Sequence, residues 1–303
     1  MYYLWRTKTY PCEEPQQDNA LRIKRICGIP DTDRTNITTL MTLPYTDNSI
    51  KRHVLLVHGG PGATGSLHAM AERLSGLVCT TECRQTEYTV DGLKRELMQQ
   101  IDRNEADSLT LIGHSWGAWL SVMVAAEHIA KVKRLILIGC PPFEEKYVPL
   151  ITTNRLRRLE GADRERFALI LSGLDAHPDR QTVCELKRYT EITDNHCLIN
   201  HKETDFDSRM YNAVWTESSA MRERGELKRM LHEISCEVDI IHGDKDPHPL
   251  QGVIEPLDEA GINYRLHHLS QCGHSPFLEK ETSPDFYQTI YEIINRQYIE
   301  ENK

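Results

Sequence analysis

The stretch Leu109-Thr110-Leu111-Ile112-Gly113-His114-Ser115-Trp116-Gly117-Ala118-Trp119-Leu120 decides the fold. Leu109, Leu111 and Ile112 form a short apolar run with strand character. Ala118, Leu120, Val122, Val124, Ala125 and Ala126 continue it as an apolar helix. Between them lies Gly113-His114-Ser115-Trp116-Gly117. A serine on a tight strand-to-helix turn is exposed at the end of a sheet, beside helix N-terminal amides. The glycines fit such a turn, because side chains there would crowd a central residue with unfavourable backbone angles.

Working outward, His53 to Val57 is another short apolar run and ends in His58-Gly59-Gly60-Pro61-Gly62. Leu67 to Leu77 reads as a helix. Asp91 to Ile101 has helical spacing at Leu93, Leu97 and Ile101. Trp116 to Ile129 is the helix after the serine, and Arg134 to Ile138 the next strand. Further upstream, Leu21 to Ile26 and Asn36 to Thr42 read as short strands. Alternating short apolar strands and helices indicate an α/β protein with a mostly parallel central sheet flanked by helices.

The pattern changes after Cys140-Pro141-Pro142, where the chain becomes charge-rich and helical in composition up to Met230. The arginine-rich stretch Arg155 to Arg166 reads as a solvated helical face. Strand character returns at Val238 to Ile241 and again at Tyr264 to Leu269. Ser283 to Ile299 closes the chain as a helix, with Ser283 as N-cap and Pro284 at its first position. The expected organisation is one core domain, residues 1–142 and 231–303, interrupted by a helical cap insertion at 143–230.

The net charge is −9, which argues against binding a nucleic-acid backbone. No run is long and apolar enough to span a bilayer, so no membrane insertion is expected. Nine scattered cysteines, an odd number, together with the absence of a signal-like apolar region in Met1 to Tyr10, favour free thiols in a cytoplasmic setting. Cys79 and Cys83 lie close together, but no second ligand pair follows at metal-binding spacing, and neither metal nor cofactor is expected.

A serine hydroxyl needs a base to take its proton, and the base needs a third group to fix its tautomer. Val238 to Ile241 runs into His242-Gly243-Asp244-Lys245-Asp246-Pro247-His248-Pro249. Asp246 lies far enough past the strand to reach inward; Asp244 is the alternative, suited to bonding its own turn. Tyr264 to Leu269 runs into Ser270-Gln271-Cys272-Gly273-His274-Ser275-Pro276, which makes His274 the candidate base. His267 and His268 fall inside the strand. His242 and His248 neighbour the acid turn and suit hydrogen-bonded structural roles. An oxyanion needs about two preorganised N–H donors. Trp116 follows the serine and supplies one; Gly60 is the natural second.

These residues resemble the α/β-hydrolase fold superfamily, with Ser115, Asp246 and His274 in the chain order expected of it. His58 to Gly62 together with Gly113 to Gly117 resemble its proline iminopeptidase-like branch. The resemblance implies that Ser115 is nucleophile, His274 base and Asp246 its partner, with Gly60 and Trp116 as oxyanion donors. It implies a metal-independent serine hydrolase acting on an ester or amide of a small molecule or short peptide. Esterases, lactonases and carbon–carbon bond hydrolases share much of the pattern, and the aminopeptidase form stays open. So do a non-hydrolytic lyase and a ligand-binding protein on the same fold. Two departures from the branch stand out. Thr81 to Thr86 lacks the glycine-containing turn many relatives carry there. The cap acids Glu185, Glu191, Glu203, Asp205, Asp207 and Glu217 include no obvious partner for a substrate ammonium. The oligomeric state is not legible.

Overall fold

The computed structural model describes residues 9–10, 52–127, 130–173, 180–199 and 206–301. The expected strands at Leu21 to Ile26 and Asn36 to Thr42 lie outside these. The described strands are β1 (Thr9–Tyr10), β2 (Arg52–Val57), β3 (Cys79–Glu82), β4 (Ser108–His114), β5 (Val132–Ile138), β6 (Glu237–Gly243) and β7 (Tyr264–Leu269). The helices are α1 (His68–Leu74), α2 (Val90–Arg103), α3 (Trp116–Glu127), α4 (Val148–Leu156), α5 (Gly161–Ser172), α6 (Arg180–Asp194), α7 (Ser208–Glu223), α8 (Glu226–Met230), α9 (Gln251–Glu259) and α10 (Ser283–Glu301).

The strands form one seven-stranded sheet in the order β1-β3-β2-β4-β5-β6-β7. β1 is antiparallel to β3, and all other pairings are parallel. After β2 the chain moves to β3 on one side; β4 then pairs with β2 on the other. Connections leaving in opposite directions open a crevice beyond the carboxyl ends of β2 and β4. Val57 pairs with Gly113, so the turn of His58 to Gly62 and the turn around Ser115 emerge side by side there.

Alternation along each strand divides the core between the two faces of the sheet. Leu55, Val57, Leu111, Leu135, Leu137 and Ile240 pack under α2, α3 and α9. Val54, Leu56, Ile112, Ile136, Ile138 and Ile241 pack under α1 and α10. Strands covered on both faces read as continuous apolar runs, which explains why β2, β4, β5 and β6 were visible in the sequence. β3 (Cys-Thr-Thr-Glu) is mostly half-buried and has no such run. α9 carries Pro256 and no side-chain N-cap bond, so it gave no start signal.

Helices α4 to α8 lie between β5 and β6. They pack in two groups. Leu159, Phe167, Ile170, Leu186 and Tyr189, from α5, α6 and the link before α5, form a small core of their own. Met210, Val214, Met221 and Leu227 of α7 and α8 join the main core instead. The reading of Arg155 to Arg166 as a solvated face needs correction at its first residue. Arg155 is only 17% exposed and ion-paired to Asp194. Arg157, Arg158, Arg164 and Arg166 are exposed.

A buried ion pair lies within the sheet. Arg134 on β5 is 1% exposed and pairs with fully buried Asp239 on β6 and with Glu237. Asp239 also accepts from His267 Nε2 at 2.8 Å. Burial pushes the Asp239 carboxyl up, but the His267 hydrogen bond and the Arg134 charge outweigh it and hold it below its ordinary value. Removing one partner of a buried pair leaves an uncompensated charge and costs about 3–5 kcal/mol. Arg134→Met should therefore lose stability of that order in urea unfolding at neutral pH. A carboxyl lowered by folding stabilises the native state above its ordinary value of 3.8, and that contribution fades as pH falls through the lowered native value. The gap between the two proteins should accordingly narrow in acid.

Candidate active site

The turn at Ser115 is held by close backbone approach. A Cβ on Gly117 would lie 2.0 Å from the Val57 carbonyl oxygen, and one on Gly113 2.4 Å from the Gly117 carbonyl oxygen. Neither position admits a side chain, so β2, β4 and the start of α3 meet backbone to backbone. Ser115 takes a left-handed φ of 53°. Non-glycine residues rarely adopt that region, and they persist there when the surroundings over-determine them. Its N–H donates to the Ile138 carbonyl at 2.9 Å, tying it to the end of β5.

The turn after β2 lies directly against the serine. A Cβ on Gly59 would sit 3.0 Å from the Ser115 Cβ. Gly60 has φ 42°, and its carbonyl accepts from the Ala63 N–H at 2.8 Å. Thr81 to Thr86, which sequence reading saw only as lacking a glycine turn, proves to brace this edge. Gln85 is buried; its Nε2 donates to the His58 carbonyl at 2.9 Å, and its Oε1 accepts from Trp116 Nε1 at 3.0 Å. One amide side chain thus links the two turns that carry Gly60 and Trp116. Glu82 braces the segment after Gly62, accepting from the Gly65 and Leu67 N–H groups at 3.1 and 3.2 Å.

Asp246 and His274 meet. His274 Nδ1 donates to Asp246 Oδ2 at 2.8 Å. Both are buried. Burial disfavours charge on His274, but the Asp246 charge and hydrogen bond overcome this and raise its pKa above 6.5. Burial likewise pushes Asp246 up, while the neighbouring imidazoles, His274 first, hold it well below its ordinary value. Asp246 therefore stays a carboxylate, and whenever His274 is neutral its proton sits on Nδ1 and Nε2 is left as acceptor.

His274 is fixed at every polar atom of its backbone. Its N–H donates to the Asp194 carbonyl at 2.7 Å, and its C=O accepts from His114 Nε2 at 3.1 Å. Gly139, next after Ile138, packs on its ring; a Cβ there would lie 2.9 Å from Nδ1. Through Gly139 and His114, Ser115 and His274 share one sheet edge. Among the described residues no hydrogen bond joins the Ser115 hydroxyl to His274. Such contacts are often long before substrate binds.

The other candidates find separate duties. Asp244 Oδ1 accepts from the Cys272 N–H at 3.2 Å and its Oδ2 meets Lys245, so it bonds its surrounding turns and no imidazole. His267 serves Asp239, and His268 is exposed. His242 Nε2 donates to the His248 carbonyl at 3.0 Å. His248 Nδ1 donates to Asp246 Oδ1 at 2.8 Å. Asp246, His248 and His274 present ligand atoms within 4.8 Å of one another. Both imidazole Nδ1 atoms are spent on the carboxylate, which ties the three side chains to one another.

Arg155 and Asp194 were not recognised in the sequence. They come from α4 and the end of α6, with nothing local to announce the pairing. Arg155 Nε and Nη2 meet Asp194 Oδ1 and Oδ2 at 2.7 and 2.6 Å, a bidentate contact. The backbone of the same aspartate holds the His274 amide. Among the cap acids, Glu185 pairs with Arg166, Glu191 with Lys187, and Glu217 accepts the Val90 N–H. Asp207 caps α7 and accepts from the Tyr88 hydroxyl. Glu203 and Asp205 lie outside the described residues.

A family model described as the alpha/beta hydrolase fold matches residues 52–281. The chain belongs to the alpha/beta hydrolase fold family. Among solved structures, this alpha/beta hydrolase resembles VinJ at TM-score 0.61 and 18% identity, over 82% of this chain and 92% of that one. It also resembles a proline iminopeptidase from Mycobacterium smegmatis at TM-score 0.55 and 15% identity, over 84% and 93%. A curated relative, the biotin biosynthesis bifunctional protein BioHC of Teredinibacter turnerae, is 20% identical over 200 residues, 64% of this chain. The match spans 34% of that relative's length. Among the described residues, no helix is long and apolar enough to cross a membrane.

Arg155→Ala should leave Asp194 a buried, unpaired carboxylate. The expected loss is about 2–3 kcal/mol in urea unfolding, less than for a fully enclosed pair because Arg155 keeps some exposure. Hydrogen–deuterium exchange at the His274 amide should rise with it, since Asp194 is the acceptor.

Proposed function

We propose that this alpha/beta hydrolase is a serine hydrolase that cleaves an ester or amide bond of a small molecule or short peptide. The observation that carries the reading is the Asp246–His274 contact beside a serine held in a left-handed turn at the same sheet edge. Ser115 Oγ attacks the carbonyl carbon while His274 Nε2 takes its proton. The Gly60 and Trp116 N–H groups receive the oxyanion. The imidazolium then protonates the leaving group, and the acyl group stays on Ser115. Water, deprotonated by His274, attacks the acyl carbon and releases the acid. Asp246 holds the tautomer and steadies the imidazolium throughout.

Residues 143–230 act as the lid of this site and restrict it to small substrates in the cytoplasm. The ester form is favoured over the aminopeptidase form by the state of the cap acids. The described ones are committed to protein partners, and Asp194 beside the base is held by Arg155. Simple aryl esters should therefore be turned over faster than aminoacyl-arylamides with a free amine. A strong preference for the free amine would establish the aminopeptidase form.

A fluorophosphonate probe should label the protein, and Ser115→Ala should abolish labelling and lower turnover by about four to six orders of magnitude. Labelling that persists in that variant would reject the nucleophile. His274 works only when neutral. Because its pKa is raised above 6.5, activity should fall as pH drops through a midpoint above that value. A profile flat down to pH 5 would remove His274 from the role.

A further inference from the structure

Asp246 has two oxygens, and His274 uses one. The other, Oδ1, accepts both the His248 N–H at 2.9 Å and His248 Nδ1 at 2.8 Å. The two imidazoles stack at an interplanar angle of 29°, with ring centroids 4.5 Å apart. The His248 carbonyl is itself held by His242 Nε2. The His248 ring is thus bonded through one nitrogen, held through its backbone at both ends, and stacked on the proposed base.

We infer that His248 is a positioning residue of the same centre: it ties down the second oxygen of Asp246 and thereby sets how strongly that carboxylate holds His274. The inference rests on the triad reading above. A carboxylate that stays ionised can only accept, so both imidazoles must present Nδ1–H to it. The same group therefore dictates the tautomer of both rings. Every hydrogen bond donated to Oδ1 draws charge away from Oδ2 and weakens the pull on the His274 proton. With the side-chain donor absent, Asp246 can turn about its own bond and carries more charge toward His274.

The surrounding charges favour this division of labour. Burial, with the His274 charge, outweighs Asp246 and lowers His248 to about 4, so it stays neutral while His274 titrates. His114 on β4 is lowered to about 3 and His242 on β6 is lowered as well, both chiefly by burial. From the insertion, Arg155 and Asp194 face the cluster as a closed ion pair. His274 is left as the imidazole there whose affinity for a proton is raised.

The test compares His248→Asn, which keeps a donor where Nδ1 stands, with His248→Gln and His248→Val, which do not. The His274 midpoint is read by NMR titration of its ring protons, and independently by the pH dependence of probe labelling. His248→Val and His248→Gln should raise the His274 midpoint by about half a unit to one unit, while His248→Asn returns it close to wild type. A packing role would lower stability without moving this midpoint. Unchanged midpoints in all three variants, or Asn and Gln behaving alike, would overturn the proposal. If the valine variant fails to fold, the Asn–Gln pair decides. Because the NMR reading needs no turnover, failure of the hydrolase reading would show as lost labelling in wild type with the midpoint shift intact.

Discussion

The site depends on one steric constraint: the start of α3 passes so close to the end of β2 that only glycine fits between them. The Gly117 position sits against the Val57 carbonyl, and Gly113 against Gly117. This approach forces the chain to turn sharply, which drives Ser115 into its left-handed conformation. It also brings the His58 to Gly62 turn against the serine, so that the two proposed oxyanion donors come from adjacent backbones. The apolar runs of β2 and β4, buried on both faces, supply the rigidity that keeps such a turn from relaxing.

The inserted helices are part of this edge. The His274 amide is held by Asp194 at the end of α6, and Asp194 is held by Arg155 on α4. On the other side, Asp207 at the head of α7 donates its N–H to the Gly62 carbonyl at 3.0 Å. A Cβ on Gly62 would strike the Asp207 carbonyl at 2.5 Å. The insertion therefore grips both the glycine turn and the loop of His274. Displacing these helices would alter the backbone on which the proposed chemistry stands.

Legibility followed the range of the interactions. The strand–turn–helix around Ser115, the strands β5, β6 and β7, and the closing helix are written in local periodicity, and each was read within a few residues of its bounds. Ser115, Asp246 and His274 could be named as candidates for one centre because each follows a strand and a sheet brings strand ends together. Gln85, Arg155 and Asp194 could not. Their partners are distant in sequence, and an amide, an arginine and an aspartate on polar helices look like surface residues. β3 hid for a related reason: its pairing to β2 is supplied by the neighbour and not by its own apolar content. His248 was seen beside the acid turn, but no pattern in the sequence says which oxygen of Asp246 it meets.

Four histidines crowd around a single buried carboxylate at this edge, and three of them, His114, His242 and His248, have their affinity for a proton lowered chiefly by burial. Burial disfavours the charged form of every one of them. His114 and His242 each spend an N–H on a backbone carbonyl, which does little for a positive charge. His248 and His274 each reach Asp246, but one negative charge cannot stabilise two imidazolium rings stacked 4.5 Å apart. Protonating either raises the cost of protonating the other. The ion pair beyond the cluster acts on both rings: Asp194 couples to His248 and His274, and Arg155 opposes charge on each.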